Sequence, residues 1–274
     1  EMDFTGLQDF TFTDVVAVNS STGDLRLHKV HSTPAQPAQA VVDSILAIAD
    51  HAGFGLGDIA LIVHGSTVAT NVVITRTGAA MAMVTTKGFR DVLLIRRQNR
   101  PELYNLRSRR PPALLPRANI LEIAERTLSD GTIDVPVQDA DIAALADQIR
   151  TMDVEVVVVG LLNSYVNPAH ERAIGERLQG LLPNVSICLS HQINRSQGEF
   201  ERFSTTVLNG YIQPVVSGYL GHLEKQLQEH NVTAPLFMMK SNGGVSAASI
   251  IAARSVEMLL SGPAGGVVAG CALA

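Results

Sequence analysis

The sequence predicts an α/β fold with a mainly parallel central sheet. Short apolar runs rich in β-branched residues recur at 59–63, 81–85, 154–160 and 185–189. Helix-period patterns at 138–152 and 168–181 alternate with the later runs, as βαβ units require. Hydrophobic residues make up 46% of the 274, enough for a sizeable core and too many for a disordered chain.

Each element has a local reason. Phe10 to Val18 mixes Thr, Phe and Val and reads as a strand. Thr22-Gly23-Asp24 turns the chain, and Leu25 to Val30 returns to complete a hairpin. Pro34 to Ala52 reads as a helix, with Ala40, Val41, Ser44, Ile45 and Ile48 on one face and Gly53 as its stop. Ile59 to Val63 reads as a buried strand, Thr67 to Thr77 as a helix ended by Gly78, and Met81 to Thr85 as a strand. Gln98 to Pro116 is proline-rich and aperiodic, hence a long loop of the functional or interfacial kind.

Gln138 to Met152 is an amphipathic helix that leads into Val154 to Gly160, a strand buried on both faces. Pro168 to Leu181 is a helix and Val185 to Leu189 a strand. Phe200, Phe203, Val207, Tyr211, Val215, Tyr219, Leu223 and Leu227 then keep helical spacing, and Pro214 predicts a kink or a split. Pro235 to Met239 reads as a strand, Ser246 to Arg254 as a helix and Val256 to Leu260 as a strand. Gly262 to Gly266 reads as a tight loop opening a last helix. The change of character near 190–198 divides the chain into domains 1–195 and 196–274.

Composition excludes several functions. A net charge of −5 gives no reason to expect nucleic acid as a partner, and the absence of Trp argues against a base-stacking platform. The two cysteines, Cys188 and Cys271, are too far apart in sequence for a CxxC zinc site and fit a reducing cytoplasm. Cys188 lies in an apolar strand and reads as an inert core thiol. No membrane span or signal peptide is expected, since no apolar run approaches the length a helix needs to cross a bilayer. The charge is uneven: Arg90 to Arg117 holds eight arginines against Asp91 and Glu102, a local +6. Guanidinium grips carboxylate and phosphate bidentately, so this tract suits an anion or a subunit contact.

Several motifs combine polar groups with special backbone. Thr11-Phe12-Thr13-Asp14 offers hydroxyls and a carboxylate beside a hairpin; by spacing alone it is an ordinary polar turn. His64-Gly65-Ser66-Thr67 follows a strand and opens a helix, where Ser66 or Thr67 caps the helix or the helix head receives an anion. Ser241-Asn242-Gly243-Gly244 and Ser261-Gly262-Pro263-Ala264-Gly265-Gly266 are glycine-rich turns beside strands and helices, where open α/β sheets bind phosphorylated ligands. Neither is a GxxxxGK[ST] or GxGxxG loop. His191 lies just past a predicted strand and reads as a structural or surface histidine.

Taken together, these stretches resemble the hydantoinase A / 5-oxoprolinase family. The resemblance rests on His64 to Asn71 (HGSTVATN), Val84 to Val92 (VTTKGFRDV) and Arg97 to Leu106 (RQNRPELYNL). It extends through Glu199 to Arg202, Ser204 to Thr206, Ser241 to Gly244 and Ser261 to Gly270. Thr11 to Asp14 fits the end of that family's N-terminal GGTFTD signature. The resemblance implies an actin-like ATPase lobe of ribonuclease-H type, followed by the start of a second lobe. It implies ATP and a divalent metal, Mg2+ or Mn2+, and ATP-dependent opening of a cyclic amide such as a hydantoin or 5-oxoproline through phosphorylation of the amide oxygen. A hydantoinase B-type partner subunit and an oligomer come with it. Acetone-carboxylase-type relatives, which phosphorylate a carbonyl before carboxylation, are the alternative, as is a non-catalytic assembly subunit.

The resemblance assigns Thr11, Thr13, Asp14, Asn242, Gly243, Gly244, Gly262, Gly265 and Gly266 to phosphates, with Asp14 also on the metal. It assigns His64, Ser66, Thr67, Arg97, Asn99 and Arg100 to substrate or partner. No catalytic residue is singled out. Two departures stand out. Leu7-Gln8-Asp9-Phe10 precedes Thr11 where the family has Asp-hydrophobic-Gly-Gly, so either this phosphate loop is disabled or residues 1–10 are a leader or a closed-up sequence. Family members are also much longer, so the chain reads as a fragment that is inactive alone, without the second phosphate loop and the adenosine pocket.

Overall fold

The structure is a computed structural model that describes residues 12–33, 36–99, 102, 104, 105, 107 and 112–273. In chain order, it begins with β1 (Phe12–Val18), β2 (Leu25–His31), α1 (Pro37–Ala52), β3 (Ile62–His64), α2 (Val68–Thr75), β4 (Met81–Thr86) and α3 (Val92–Ile95). Then come β5 (Ile120–Ile123), β6 (Arg126–Thr127), β7 (Ile133–Val135), α4 (Asp139–Arg150), β8 (Val156–Gly160), α5 (Ala169–Leu181), β9 (Ser186–Leu189) and α6 (Ser190–Ile193). The chain ends with α7 (Glu199–Glu229), β10 (Leu236–Met239), β11 (Val245–Ala247), α8 (Ala248–Ala253) and α9 (Ser261–Leu273). Two compact units result. One takes the chain up to Thr67, Val216–Ala253 and the residues from Glu257 on; the other takes Val68–Val215 and Arg254–Val256.

The second unit is built on a parallel sheet of order β5-β4-β8-β9. Every residue of β4 and β8 is buried, which is why both read as continuous apolar runs. Helices α4 and α5 seal one face: Ile142, Leu145, Ile149, Ile174 and Leu178 pack on Ala82, Val84, Val157 and Val159. On the other face Gly210 brings the first half of α7 close to the sheet. A side chain there would meet Val158 Cγ2 at 3.0 Å and Val156 Cγ1 at 3.1 Å.

The first unit holds the antiparallel β1–β2 hairpin and a sheet of order β11-β10-β3. In that sheet β3 runs parallel to β10, and β11 is antiparallel to it. Helix α1 buries Ala40, Val41, Ile45 and Ile48 and ends as predicted at Gly53, whose φ of 71° is left-handed. No helix among the described residues is long and apolar enough to cross a membrane.

Four expectations need correction. The run at 59–63 is not a buried strand: β3 is only Ile62–His64 and lies at its sheet's edge, leaving Leu61 and Val63 half exposed. Pro214 does not split α7, which runs through it for 31 residues. The lost N–H removes one bond of the ladder, while Tyr211, Ile212, Val216 and Leu220 stay buried around it. Val256 to Leu260 is no strand; Ser255–Met258 forms a 3-10 turn. Gly262 to Gly266 is not a loop but the start of α9. Pro263 is the third residue of that helix, where an N–H would have no intrahelical partner.

Candidate functional site

In the first unit the glycine-rich segments meet at the carboxyl ends of the parallel strands β3 and β10. Strand pairing sets Met238 beside His64, and the chain leaves both strands at this level. Met239, the last residue of β10, lies between two of the motifs. A side chain at Gly65 would come to 3.3 Å from its Sδ, and one at Gly265 to 2.0 Å from its Cε. The HGST segment and the head of α9 therefore pack on the same methionine.

The turn after β10 is a tight hairpin loop leading to β11, not directly to a helix. Gly243 N–H donates to Lys240 O (3.0 Å) and Lys240 N–H to Gly244 O (2.8 Å). Asn242 Oδ1 accepts from Gly244 N–H at 3.0 Å. Gly243 has φ 81°, and a side chain there would strike Val268 Cγ2 of α9 at 2.4 Å. Lys240 Nζ pairs with Glu257 at 2.8 Å, and Ser241 N–H donates to Glu257 O at 2.7 Å. Glycine at 243 is thus favoured by its left-handed backbone and by packing of the turn against α9, while Gly265 lets α9 approach the tip of Met239 closely. Gly262 and Gly266, by contrast, face open space. Ser261 Oγ, at the head of α9, is buried without a partner among the described residues, a cost that a polar guest or water would remove. Open glycines, an orphaned hydroxyl and a helix N-terminus fit phosphate oxygens.

His64 closes the other side. Tyr219 O–H lies 2.6 Å from His64 Nε2 and is hydrogen-bonded to Ser66. Burial pushes Tyr219 up to about 12 and His64 down to about 4, so at neutral pH the phenol keeps its proton and the imidazole is uncharged. The imidazole tautomer sets which of His64 Nε2 and Tyr219 O–H donates in this contact.

The other predicted residues have their own surroundings. Thr13 bonds Ser32 Oγ at 3.0 Å, and Asp14, exposed on the opposite face of β1, pairs with Lys29 Nζ at 3.0 Å. Among the described residues, no three His, Cys, Asp or Glu side chains gather to hold a metal. Arg97 Nε donates to Glu201 Oε1 at 2.5 Å and holds that carboxyl below its ordinary range; Asn99 is exposed. Arg117 grips Asp91 bidentately at 2.6 and 2.9 Å, so part of the arginine tract is paired internally. Thr11 and Arg100 lie outside the described residues.

Sequence reasoning missed a buried polar network at the carboxyl ends of β4, β8 and β9 in the second unit. Glu171, fully buried on α5, accepts from Ser190 Oγ (2.6 Å), Leu161 N–H (2.9 Å), His191 N–H (2.9 Å) and His191 Nδ1 (2.7 Å). Burial raises its pKa, but these donors outweigh burial and leave it below the ordinary range. Arg202, fully buried on α7, donates to Leu161 O (2.9 Å) and Ser196 O (2.8 Å). A second pair, Glu125 and His170 Nδ1 at 2.7 Å, also binds Thr86 Oγ1. One signal was available: Glu171 shares a helix face with Ile174 and Leu178, a face that α5 buries.

Glycine-rich segments and a helix head at the carboxyl ends of parallel strands stand where α/β sheets commonly bind ligands. The comparisons are narrower. Residues 10–182 match the hydantoinase/oxoprolinase N-terminal region, and residues 202–273 match hydantoinase/oxoprolinase. The chain belongs to the hydantoinase/oxoprolinase family. It is 34% identical to an uncharacterised protein of Methanocaldococcus jannaschii, over 94% of this chain and 38% of that one. It is 32% identical to the caprolactamase alpha subunit of Pseudomonas jessenii, over 96% and 39%. The ATP-dependent caprolactamase structure from that organism superposes with a TM-score of 0.83, covering 93% of this chain and 38% of that one. A nucleotide-free acetone carboxylase structure gives a TM-score of 0.85 at 25% identity, covering 96% and 39%. The chain thus spans about two-fifths of the length of these relatives.

Proposed function

We propose that this chain is the N-terminal portion of an ATP-dependent enzyme that opens a cyclic amide, a hydantoin, 5-oxoproline or a related lactam. The observation that carries the reading is the meeting of Gly65 and Gly265 on Met239, beside the 240–244 turn. That meeting gathers three of the family-like motifs at one strand end. The actin-like ATPase architecture is part of the proposal, as is the division at 195/196. The matched spans 10–182 and 202–273 support that division.

In this reading Asn242, Gly244, Gly262 and Gly266 face the phosphates, while Gly243 and Gly265 hold the turn against α9. Thr11, Thr13 and Asp14 take phosphate oxygens, with Asp14 exchanging Lys29 for Mg2+ or Mn2+. ATP, when bound, would supply a phosphoryl group to the amide oxygen, making the ring carbon electrophilic enough for water to attack; the ring C–N bond would break and phosphate would be released on hydrolysis. His64, Ser66 and Thr67 orient polar atoms of the ring, with neutral His64 acting as a hydrogen-bond partner and not as a fixed charge. Arg97, Asn99 and Arg100 take a substrate carboxylate or the surface of a hydantoinase B-type subunit in a cytoplasmic, multi-subunit enzyme.

The test uses the full-length protein with its partner subunit, ATP and magnesium. ATP hydrolysis that depends on a hydantoin, 5-oxoproline or caprolactam is the expected result; none with any ring overturns the substrate class. The acetone carboxylase likeness favours a second reading, carboxylation of a carbonyl after its phosphorylation. That reading predicts ATP turnover dependent on a ketone plus bicarbonate. An assembly subunit without catalysis predicts no ATP binding by the full-length protein in calorimetry.

A further inference from the structure

The second unit contains a cavity of about 540 Å3 lined by Arg172, His191, Gln192, Ile193, Arg195 and Arg254. Three of the six lining residues are arginines and none is acidic. The nearest buried carboxylate, Glu171, is saturated by donors from Ser190, Leu161 and His191, which face it from α6 and the end of β8.

Two features separate this cavity from a patch of solvated arginines. Arg254 is anchored by Nη2 donating to Ile193 O at 3.1 Å, so one guanidinium is fixed in place. His191 is only 5% exposed and spends Nδ1 on Glu171, which leaves Nε2 without a protein partner among the described residues. A ring nitrogen in a cavity lined by guanidiniums suits a ligand that brings negative charge and oxygen atoms together. Three cations favour a doubly charged phosphate over a monocarboxylate, and phosphate oxygens also suit bidentate guanidinium forks. A phosphate that keeps one O–H can donate to Nε2.

We propose that Arg172, His191, Arg195 and Arg254 form a binding site for a small phosphate-type oxyanion, floored by the Glu171–His191 pair. The proposal does not depend on the cyclic-amide reading, and its test uses neither nucleotide nor ring substrate. Arg172 and Arg195 are exposed side chains, so an R172Q/R195Q variant of the full-length protein keeps its fold. Inorganic phosphate is titrated calorimetrically in chloride buffer at low ionic strength, with acetate as a second arm. Wild type is expected to bind phosphate saturably and more tightly than acetate, and R172Q/R195Q to lose affinity by about tenfold or more. Arg177→Gln, at an exposed arginine of α5 that does not line the cavity, serves as a control and is expected to change nothing. Phosphate should also protect Arg172 and Arg195, but not Arg177, from phenylglyoxal, read by peptide mass spectrometry. No saturable binding, equal affinity in R172Q/R195Q, or unprotected arginines each overturns the site. Acetate binding as tight as phosphate overturns the phosphate class.

Discussion

Glu171→Gln tests whether the buried carboxylate organises the carboxyl ends of the second unit's sheet. Four donors converge on its two oxygens at 2.6–2.9 Å. A glutamine keeps one oxygen and turns an NH2 group toward the donors that met the other. About two hydrogen bonds to a charged acceptor are lost, at roughly 1.5–3 kcal/mol each, so local stability should fall by about 3–6 kcal/mol. Native-state hydrogen exchange on peptides covering Leu161 and His191 reads this directly, as a loss of protection of roughly 10²–10⁴-fold. The pH dependence has a definite sign. Glu171 has a lowered folded pKa, so the unfolded chain binds the proton more readily. Its contribution is complete above the ordinary glutamate pKa of about 4.3 and is lost as pH falls through the folded value. Glu171→Gln should lack that acid limb. Protection within tenfold of wild type, with the limb intact, would refute the reasoning.

Three other substitutions or titrations follow from the geometry. Gly243→Ala must adopt φ 81° and push Val268, so it should lower stability by about 1–3 kcal/mol. Gly262→Ala, in open space on a helix, should be neutral or stabilising by up to about 1 kcal/mol. Thermal melts of the two variants should therefore shift apart. His64, lowered to about 4, should not titrate by NMR between pH 5 and 8. Its neutral form contributes fully above the unfolded pKa of about 6.5, and the contribution falls as pH drops toward 4. Arg97→Ala removes an exposed, solvent-screened pair, so the melt should stay in place. A large fall in ring-dependent ATP turnover with an unmoved melt would mark a binding role; unchanged turnover would remove Arg97 from the site.

What the sequence made legible follows from burial. Strands β4 and β8 are buried on both faces, and helices α4 and α5 are buried on one, so hydrophobic spacing placed all four within a few residues. β5 was missed because only Ile120 and Ile123 of its four residues are buried, which gives neither alternation nor a continuous run. The SGPAGG segment was read as a loop because glycine and proline are poor helix formers. Packing of Gly265 against Met239 overrides that propensity. The HGST, SNGG and SGPAGG segments were identifiable, but nothing in their spacing along the chain says that Gly65 and Gly265 share one methionine.

The Glu171 cluster was hidden for a different reason: its partners come from separate elements and share no motif. Replacing a buried charged pair with apolar residues often leaves stability unchanged or improved, so stability alone does not explain Glu171, Arg202 and His191. Their geometry offers a better account. Glu171, on α5, holds Leu161 after β8 and Ser190 and His191 after β9, while Arg202, on α7, holds the Leu161 carbonyl. Two strand ends and two helices are tied together by bonds with direction, which apolar contacts lack. The cluster also fixes which nitrogen of His191 stays available to the arginine-lined cavity. Glu171→Gln should therefore weaken phosphate binding through the orientation of His191 even though Glu171 does not line the cavity. A phosphate affinity unchanged in that variant would separate the network from the site and leave it a purely structural clamp.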